Sequence, residues 1–493
     1  MKRILVGGEW VKPQSTTMME IRNPATAAVL GKVADCAGAD VDAAVAAARG
    51  AQRAWWKKPG VEKGVLLREA ARKMRERTKA LSTLMAQETG KPLIEAIDEI
   101  DWVAAAFEYY AEVGRAERGV SLPPVAPNQV NFTVKEPYGV VACIVPFNFP
   151  LLLLSWKMAP ALAAGNTLVC KPPHQNPLST LLFGECFDHL PPGVVNIITG
   201  GGATTGEALI RHEDVDMVAF TGSTEVGRHI ARSCGESLKK VNLEMGGIDP
   251  LIVFDDADLN VAARGAAWAR LLNAGQVCTS SKRFYVVASV ADEFERRLLD
   301  HVKTLRLGDP MEADTDIGPL ISEGAREKVT KQVERLKAEG AKLVYGGKPI
   351  QPQGLRGYFF EPTVFTGVRH GGIATTEEIF GPVISIIRVK DNAEAIEKAN
   401  DSKYGLGCVV YTASLEWSMR AMENIKAGTF WINDPLTDND AGPFGGMRWS
   451  GMGRELGAEG LDAFREPKHV HMEYVQDVKA YWFPYKDRPL PQH

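Results

Sequence analysis

Apolar residues in the first part of the chain recur at helical spacing. Over residues 62–88 they return every three or four positions, and the Gly-Lys-Pro sequence at 90–92 is typical of a helix end. A second helix is predicted directly afterwards. Its apolar face is formed by Leu93, Ile97, Ile100, Ala104, Phe107 and Ala111. The start of the chain is therefore predicted to be largely helical.

After Pro137 the pattern changes to short apolar runs that alternate with helical stretches. The first predicted strands cover residues 140–145, 167–170, 194–198 and 215–220. Such a repeated strand–helix unit is typical of a parallel sheet with helices on both faces. After Pro250 the alternation restarts, with strands predicted at residues 251–254, 284–287, 342–345, 383–389 and 408–411. The chain is predicted to be an α/β protein with two wound domains.

Composition and charge exclude several classes of function. Hydrophobic residues make up 45% and charged residues 24%, and 57 Lys and Arg against 61 Asp and Glu give a net charge of −4. This balance provides no basic surface, so no nucleic-acid binding is expected. The most apolar stretch is interrupted by Asn148, Lys157 and prolines, so no membrane span is expected. The odd number of cysteines, 7, indicates free thiols in a reducing compartment and favours the cytoplasm.

Two glycine-rich turns are predicted between a strand and a helix. Residues 198–206 lack the G-x-G-x-x-G spacing, and residues 220–227 continue into Arg228-His229, where a P-loop needs Lys and Ser or Thr. Each turn alone is compatible with simple strand–helix packing. Together in one sheet they favour a dinucleotide whose phosphates meet helix N-termini.

One cysteine differs from the others in its sequence neighbourhood. Cys278 follows a predicted helix, lies among small and polar residues, and precedes Lys282 and Arg283. Neighbouring cations can lower the pKa of a thiol and make it reactive. Three other cysteines lie in predicted apolar strands, where a role in the core is the simpler interpretation. Cys278 is thus the candidate nucleophile.

Two polar residues accompany further turns. Glu244 precedes paired glycines, which suits close approach of a ligand, although a surface turn is the alternative. Asn148 lies between two prolines in an apolar segment, and a buried amide must be hydrogen-bonded. It either caps the following helix or points at a ligand.

Seven segments together resemble the aldehyde dehydrogenase superfamily, in the family's order and over nearly the whole chain. They are PFNFP (146–150), KPP (171–173), FTGSTEVG (220–227), LEMGG (243–247), GQVCT (275–279), EEIFGPV (377–383), and PFGG with SGMGRELG (443–457). The chain is identified as a member on these segments, nearest to the betaine-aldehyde and aminoaldehyde dehydrogenases.

The resemblance implies the aldehyde dehydrogenase fold, with a Rossmann-like cofactor domain, an α/β catalytic domain and a small β oligomerisation element. The implied boundaries are 1–117 and 138–246 for the NAD(P)-binding domain, 247–449 for the catalytic domain, 118–137 and 464–480 for the oligomerisation strands, and 481–493 for a C-terminal tail. A homodimer or homotetramer follows from the resemblance. The aromatic tail is expected to pack on a neighbouring subunit.

The resemblance also implies a chemical mechanism and the residues that perform it. The catalytic residues are Cys278, Glu244, Asn148, Lys157 and Glu455. Cys278 attacks the aldehyde as a thiolate, the Asn148 amide holds the oxyanion, and Glu244 activates water to release the acid. The last two residues of the set support proton transfer.

The implied cofactor is NAD+ or NADP+. Its binding residues are Lys171, His174, Gly222, Ser223, Glu378, Phe380, Pro146 and Phe147. Many NAD-preferring members carry Glu where this chain has His174, and that Glu accepts from the ribose 2′-OH and repels a 2′-phosphate. The choice between the two cofactors is therefore left open, with NAD+ as the first choice.

The implied aldehyde channel is apolar and partly aromatic. Its residues are Phe149, Trp156, Leu272, Val277, Thr279 and Phe444. An acidic mouth is expected from Asp434, Asp438, Asp440, Glu99 and Asp101, although these acids could equally serve only to solvate the surface. A cationic aldehyde over aromatic rings and carboxylates favours an amino- or betaine-type substrate. Neutral aliphatic or aromatic aldehydes are the alternative.

Two other activities and one other site were considered. Members that acylate coenzyme A generally lack the base at Glu244, so its presence favours hydrolysis to the free acid. An inactive structural homologue is the remaining alternative, and the intact catalytic set argues against it. His469 and His471 lie two residues apart without a third ligand nearby, so no metal site is expected.

Overall fold

The computed structural model describes residues 3–116 and 119–487. Its strands are β1 (Ile4–Val6), β2 (Glu9–Val11), β3 (Met18–Arg22), β4 (Val29–Ala34), β5 (Ser121–Leu122), β6 (Gln129–Pro137), β7 (Val140–Ile144), β8 (Thr167–Lys171), β9 (Val195–Ile197), β10 (Met217–Gly222), β11 (Lys240–Met245), β12 (Asp249–Val253), β13 (Ser281–Val287), β14 (Lys342–Tyr345), β15 (Thr363–Thr366), β16 (Val383–Val389), β17 (Gly407–Tyr411), β18 (Thr429–Ile432), β19 (Gly451–Met452) and β20 (Arg465–Glu473).

The helices connect and cover these strands. They are α1 (Ala39–Lys57), α2 (Gly60–Glu76), α3 (Thr78–Thr89), α4 (Leu93–Ala116), α5 (Leu152–Ala164), α6 (Leu178–Phe183), α7 (Glu207–Arg211), α8 (Thr224–Glu236), α9 (Leu259–Leu271), α10 (Ala288–Val302), α11 (Glu323–Ala338), α12 (Ile373–Thr376), α13 (Asn392–Asn400), α14 (Leu415–Asn424) and α15 (Gly457–Asp462). Within the described residues, no helix combines the length and apolar character needed to cross a membrane.

The first large sheet has the order β19-β11-β10-β7-β8-β9-β1-β2. Its central strands β11, β10, β7, β8 and β9 are parallel, and the outer strands β19, β1 and β2 run antiparallel. Strands β7 and β8 are buried along their whole length, as expected for parallel strands covered on both faces. Because parallel strands end at one edge, the turns after them are brought together there.

The second large sheet has the order β14-β15-β16-β13-β12-β17-β18. All its neighbours are parallel except β14, which pairs antiparallel with β15. A three-stranded antiparallel sheet, β20-β6-β5, lies apart from both, with Val134 opposite Lys468. Most of β20 is exposed in the single chain. The predicted α/β fold class is confirmed, whereas the predicted domain boundaries remain predictions.

The helical prediction at the start of the chain was wrong in one detail. The single helix predicted over residues 62–88 is two helices, α2 and α3, separated at Arg77 with φ −101° and ψ 7°. The Thr78 hydroxyl donates to the carbonyl of Arg75 at 2.9 Å, and such local side-chain bonds compete with the helical ladder. Apolar periodicity does not reveal such a break, because both helices bury the same side of the chain.

Candidate active site

The turns at the carboxyl edge of the first sheet place most of the predicted site residues. The turn after β7 carries Pro146, Phe147, Asn148 and Phe149; β8 ends in Lys171; β10 contains Thr221 and ends in Gly222; and β11 contains Glu244. The second sheet contributes the turn between α9 and β13, which carries Cys278, and the segment before β16, which carries Glu378 and Phe380. The two sheets thus supply the two sides of one site.

Cys278 is the only one of the chain's cysteines that is not buried. It is half-buried and lies between the buried residues Val277 and Thr279. Burial of its surroundings raises the pKa of the Cys278 thiol, the charge of Glu244 raises it further, and the ammonium of Lys282 lowers it. The thiol is therefore reachable, and its ionisation depends on nearby charged groups.

The turn before Cys278 has an unusual backbone. Asn273 and Ala274 adopt left-handed conformations at φ 49° and 54°, and Gly275 follows at φ 74°. A Cβ on Gly275 would lie 2.3 Å from the carbonyl oxygen of Gly381, so only glycine fits there. Strained backbone of this kind persists only where the surroundings enforce it.

Side chains that the sequence analysis missed hold this turn in place. The Asn273 side-chain amide donates to the backbone carbonyl of Asn148 at 3.0 Å, and its backbone N–H donates to the Glu95 carboxylate at 3.0 Å. The first of these bonds joins the turn of the nucleophile to the turn of the predicted oxyanion ligand. Glu95 lies on α4, which is distant in sequence, so no local pattern could have indicated the contact.

Arg270 is a second stabilising residue that the sequence analysis did not identify. Its fully buried guanidinium donates to the carbonyls of Val383, Ile379 and Gly275 at 2.7, 2.7 and 3.2 Å, and to the Ser280 hydroxyl at 2.7 Å. Burial lowers the pKa of Arg270 to about 9. One side chain thereby joins the turn of Cys278 to the segment that carries Glu378.

The structure decides between the two interpretations of Asn148 as far as capping is concerned. The first turn of α5 is capped by Glu99, whose carboxylate accepts from the backbone N–H groups of Leu151 and Leu152, both at 3.0 Å. The buried Asn148 amide is thereby not needed as a cap. It remains available to a ligand.

Glu244 is a buried carboxyl group without a hydrogen-bond partner on either oxygen in the described part of the chain. Burial raises its pKa well above the usual value, and the negative charge of Glu455 adds to this, whereas Lys157 acts in the opposite direction. Orphaned buried polar atoms are rare in proteins and indicate a site where another molecule binds. A carboxyl group with a raised pKa is suited to accepting a proton near neutral pH.

Lys157 and Glu455 form a buried ion pair near Glu244. The Lys157 ammonium also lies 2.5 Å from the Thr221 hydroxyl, and the second oxygen of Glu455 has no hydrogen-bond partner among described residues. Burial raises the pKa of Glu455, which the ion pair with Lys157 partly offsets. These groups form a connected set of proton donors and acceptors behind Glu244.

The end of β8 offers features that suit the ribose of a nucleotide. The buried Lys171 ammonium donates to the Pro172 carbonyl at 2.9 Å, and burial lowers its pKa to about 8. His174 is exposed, and its pKa is lowered by partial desolvation and by the charge of Lys171. The charge of Asp35 acts on both groups in the opposite direction. Asp35 was missed because it lies in an N-terminal loop far from these residues in sequence.

The remaining predicted cofactor residues lie nearby on two further elements. The Ser223 hydroxyl caps α8 by accepting from the Val226 N–H at 3.4 Å, and Phe147 and Phe380 meet edge to face with ring centroids 5.9 Å apart. One carboxylate oxygen of Glu378 is buried without a hydrogen-bond partner among the described residues. A helix N-terminus, a buried ammonium and an orphaned carboxylate fit the phosphates and ribose hydroxyls of a dinucleotide.

Two adjoining cavities contain the predicted substrate residues. The smaller, of about 190 Å³, is lined by Trp102, Ala105, Trp156, Trp268, Leu436, Thr437, Asp438 and Asp440. Phe444 packs on Trp156 with ring centroids 4.9 Å apart. The larger, of about 350 Å³, includes Phe149 and Leu272 and shares Trp102 and Trp268 with the smaller. Trp102 and Trp268 were not among the predicted substrate residues.

The predicted acidic mouth is only partly correct. Asp438 and Asp440 line the smaller cavity, and the pKa of Asp438 is raised to about 7 by its enclosed position and by Asp440. Glu99, in contrast, is fully buried and forms an ion pair with Lys91, and Asp101 pairs with Arg75 at 3.2 Å. Glu99 was placed wrongly because helical periodicity does not distinguish a charge that faces solvent from one paired inside the protein.

His469 and His471 are accounted for by the small sheet. Their ring nitrogens lie 3.3 and 2.8 Å from the Asn131 side-chain oxygen on the neighbouring strand. In residues 3–116 and 119–487 there is no group of three or more His, Cys, Asp or Glu side chains arranged to hold a metal ion.

Comparison with known proteins identifies the family. The sequence profile described as "Aldehyde dehydrogenase family" matches residues 10–470. Betaine aldehyde dehydrogenase 1 of Oryza sativa subsp. japonica is 40% identical over 97% of each chain. Retinal dehydrogenase 2 of Homo sapiens is 40% identical over 96% of this chain and 92% of its own.

The fold agrees with this match. The crystal structure of betaine aldehyde dehydrogenase from Staphylococcus aureus in complex with NAD+ superimposes with a TM-score of 0.95, covering 98% of this chain and 96% of that one at 37% identity. The predictions of the family, the fold and the reaction made from the sequence are confirmed. The chain belongs to the aldehyde dehydrogenase family and is an NAD(P)-dependent oxidoreductase that converts an aldehyde to a carboxylic acid.

Proposed function

We propose that Cys278 is the nucleophile of this reaction, that the Asn148 amide and the Cys278 backbone N–H hold the oxyanion, and that Glu244 is the general base. The observation that carries the proposal is the combination of one reachable thiol with a buried, unpartnered carboxyl group whose charge acts on that thiol. An isolated buried carboxyl would be costly to maintain without a function.

The proposed chemistry proceeds in two stages. The Cys278 thiolate adds to the aldehyde carbon, and the resulting oxyanion accepts hydrogen bonds from the Asn148 amide. Bound NAD(P)+ supplies the hydride acceptor. Loss of hydride from the thiohemiacetal carbon leaves a thioester on Cys278. Glu244 then takes a proton from water as its oxygen attacks the thioester, which releases the acid and returns the thiolate.

Proton release from Glu244 is proposed to run through Lys157 and Glu455. The ion pair between them is buried, and Glu455 acts electrostatically on Glu244. The presence of Glu244 favours water over coenzyme A as the acyl acceptor. Formation of reduced cofactor without added coenzyme A is the assay that separates these two reactions.

For the cofactor, we propose that Lys171, Ser223, Glu378 and Phe380 bind NAD+ or NADP+, with NAD+ preferred. Asp35 supports this preference, because its negative charge acts on the same two groups, Lys171 and His174, that would surround a 2′-phosphate. Since the pKa of His174 is lowered, the ring carries no positive charge at neutral pH that could attract the phosphate.

The substitution His174→Glu is expected to lower kcat/KM for NADP+ by about tenfold or more and to leave that for NAD+ nearly unchanged. The new carboxylate would accept a hydrogen bond from the 2′-hydroxyl and repel a 2′-phosphate. Initial rates with each cofactor at saturating aldehyde measure this. His174→Gln is the matched control, since it adds an acceptor without a charge. Equal losses for both cofactors would remove His174 from the cofactor site.

For the substrate, we propose an aldehyde with a cationic group, of the amino- or betaine type. The smaller cavity supports this, because three tryptophan rings and two carboxylates surround it. Cations are attracted to the faces of aromatic rings and to unpaired carboxylates. A neutral aldehyde would gain nothing from Asp438 and Asp440.

The test compares Asp438→Asn with the unchanged protein on betaine aldehyde, 4-aminobutyraldehyde, hexanal and benzaldehyde. We expect kcat/KM to fall about fivefold for the two cationic aldehydes, as expected for losing one partly screened charge pair worth about 1 kcal/mol. The two neutral aldehydes should be unaffected. Asp101→Asn is the control, because Asp101 pairs with Arg75 outside the cavity. If all four aldehydes respond alike, the channel selects by shape and the neutral class is favoured.

We further propose a homodimer or homotetramer in the cytoplasm. The exposed strand β20 and the aromatic side chains of residues 481–485, which are more than half exposed in the single chain, support association with another subunit. The free state of all the chain's cysteines supports a reducing compartment.

A further inference from the structure

Lys282 lies on β13, directly beneath the turn that carries Cys278. Its ammonium donates to the backbone carbonyls of Cys278, Val277 and Ser280 at 2.7, 3.0 and 3.2 Å. An ammonium has three N–H donors, so these bonds use all of them. The side chain is 2% exposed, so the charge is held inside the protein next to the nucleophile's own peptide group.

The surroundings of Lys282 are strongly acidic. Its ammonium lies 3.4 Å from the Glu378 carboxylate, and Glu244 and Asp249 are the other carboxyl groups whose charges act on the Cys278 thiol. Glu244 comes from β11, Asp249 from β12 and Glu378 from the segment before β16. The Lys157–Glu455 pair acts on this group through Glu244. Burial and these three carboxyl groups all oppose ionisation of the thiol, and Lys282 is the charge that opposes them.

We propose that Lys282 is a positioning residue of the reaction: it fixes the turn of Cys278 through three carbonyl bonds and supplies the positive charge that favours the thiolate. Lys282 also contacts Glu378, a carboxylate of the proposed cofactor cleft, so its charge is shared between the nucleophile and that cleft. The proposal rests on the assignment of Cys278 as the nucleophile.

The sign of the effect on the thiol follows from the charges. A thiol becomes negative when it loses its proton, so a nearby cation lowers its pKa and a nearby carboxylate raises it. Removing the charge of Lys282 should raise the pKa of Cys278. Removing the charge of Glu378 should lower it. Damage to the fold would not move the two variants in opposite directions.

The experiment measures the rate at which iodoacetamide alkylates Cys278 in the full-length protein without cofactor, from about pH 6 to about pH 10, with the modified peptide identified by mass spectrometry. Lys282→Met and Lys282→Gln are expected to shift the profile upward by about one pH unit, and so to slow alkylation about tenfold at pH values below the thiol pKa. Glutamine retains an N–H donor but not the charge. Glu378→Gln is expected to shift the profile downward.

Lys239→Met is the matched control. The Lys239 ammonium also donates to backbone carbonyls, those of Ile210 and His212 at 2.9 and 2.6 Å, but on a distant part of the first sheet. Its loss should leave the alkylation profile unchanged. If Lys282→Met does not fold, the two glutamine variants complete the test.

Two results would overturn the proposal. One is a profile identical to that of the unchanged protein in the folded Lys282 variants. The other is a shift in the same direction for Lys282→Gln and Glu378→Gln. Failure of the underlying assignment is seen separately, because turnover would then survive replacement of Cys278 itself.

Discussion

Replacing Cys278 with alanine is expected to lower kcat by about 10⁴-fold or more, the scale on which removal of a covalent nucleophile acts in other enzymes. Without the sulfur no thiohemiacetal forms, so the hydride cannot leave from a tetrahedral carbon. The fold should be preserved, because Cys278 is the half-buried thiol and its loss leaves no closed cavity. Reduced-cofactor formation and the thermal unfolding midpoint together measure this.

Cys234→Ala is the matched control for this variant. Cys234 is buried at the end of α8, away from the turn of Cys278. It should cost some stability and leave kcat unchanged, which is the reverse of the Cys278 pattern. Turnover that persists in Cys278→Ala would exclude the proposed chemistry. A chain with no turnover before substitution would instead favour an inactive structural homologue.

Replacing Glu244 with glutamine is expected to lower steady-state turnover by about 10²- to 10⁴-fold, the contribution typical of a general base. The first turnover should survive, because thiolate addition and hydride loss do not need this base. A burst of about one equivalent of reduced cofactor per Cys278 should therefore precede the slow phase. Rapid-mixing absorbance measures the burst, and mass spectrometry detects the acyl group on Cys278.

The charge of Glu244 adds a second, independent readout. Because that charge raises the pKa of Cys278, its removal in Glu244→Gln should lower the thiol pKa and speed alkylation at neutral pH. Glu397→Gln, an exposed change on α13, serves as the control. A variant that loses the burst together with turnover would show that Glu244 acts before the thioester forms.

The alternation of strands and helices was predictable from sequence because each buried strand is a continuous apolar run. The predicted strands at residues 342–345 and 383–389 coincide with β14 and β16. The break between α2 and α3 was not predictable in this way, since it depends on a hydroxyl bond at Thr78 rather than on hydrophobic periodicity.

The candidate site divides along the same line. Residues within contiguous motifs, such as Cys278 and Glu244, were identified because the motif states their chemistry. The residues that hold the motifs, Arg270, Asn273 and Glu95, act across more than one segment and carry no local signature. Glu99 was misplaced for a related reason: its partner Lys91 and the helix end that it caps are made adjacent only by folding.

The bonds of Arg270 determine which parts of the active site are able to move. Separating the turn of Cys278 from the segment of Glu378 would break several buried hydrogen bonds to a charged group, each worth about 1.5–3 kcal/mol. The sulfur and that carboxylate therefore travel as one rigid floor during catalysis. Exchange of aldehyde and acid falls instead to the loop bearing Asp438 and Asp440, whose exposed side chains form the entrance, so turnover can be gated there without disturbing the reacting atoms.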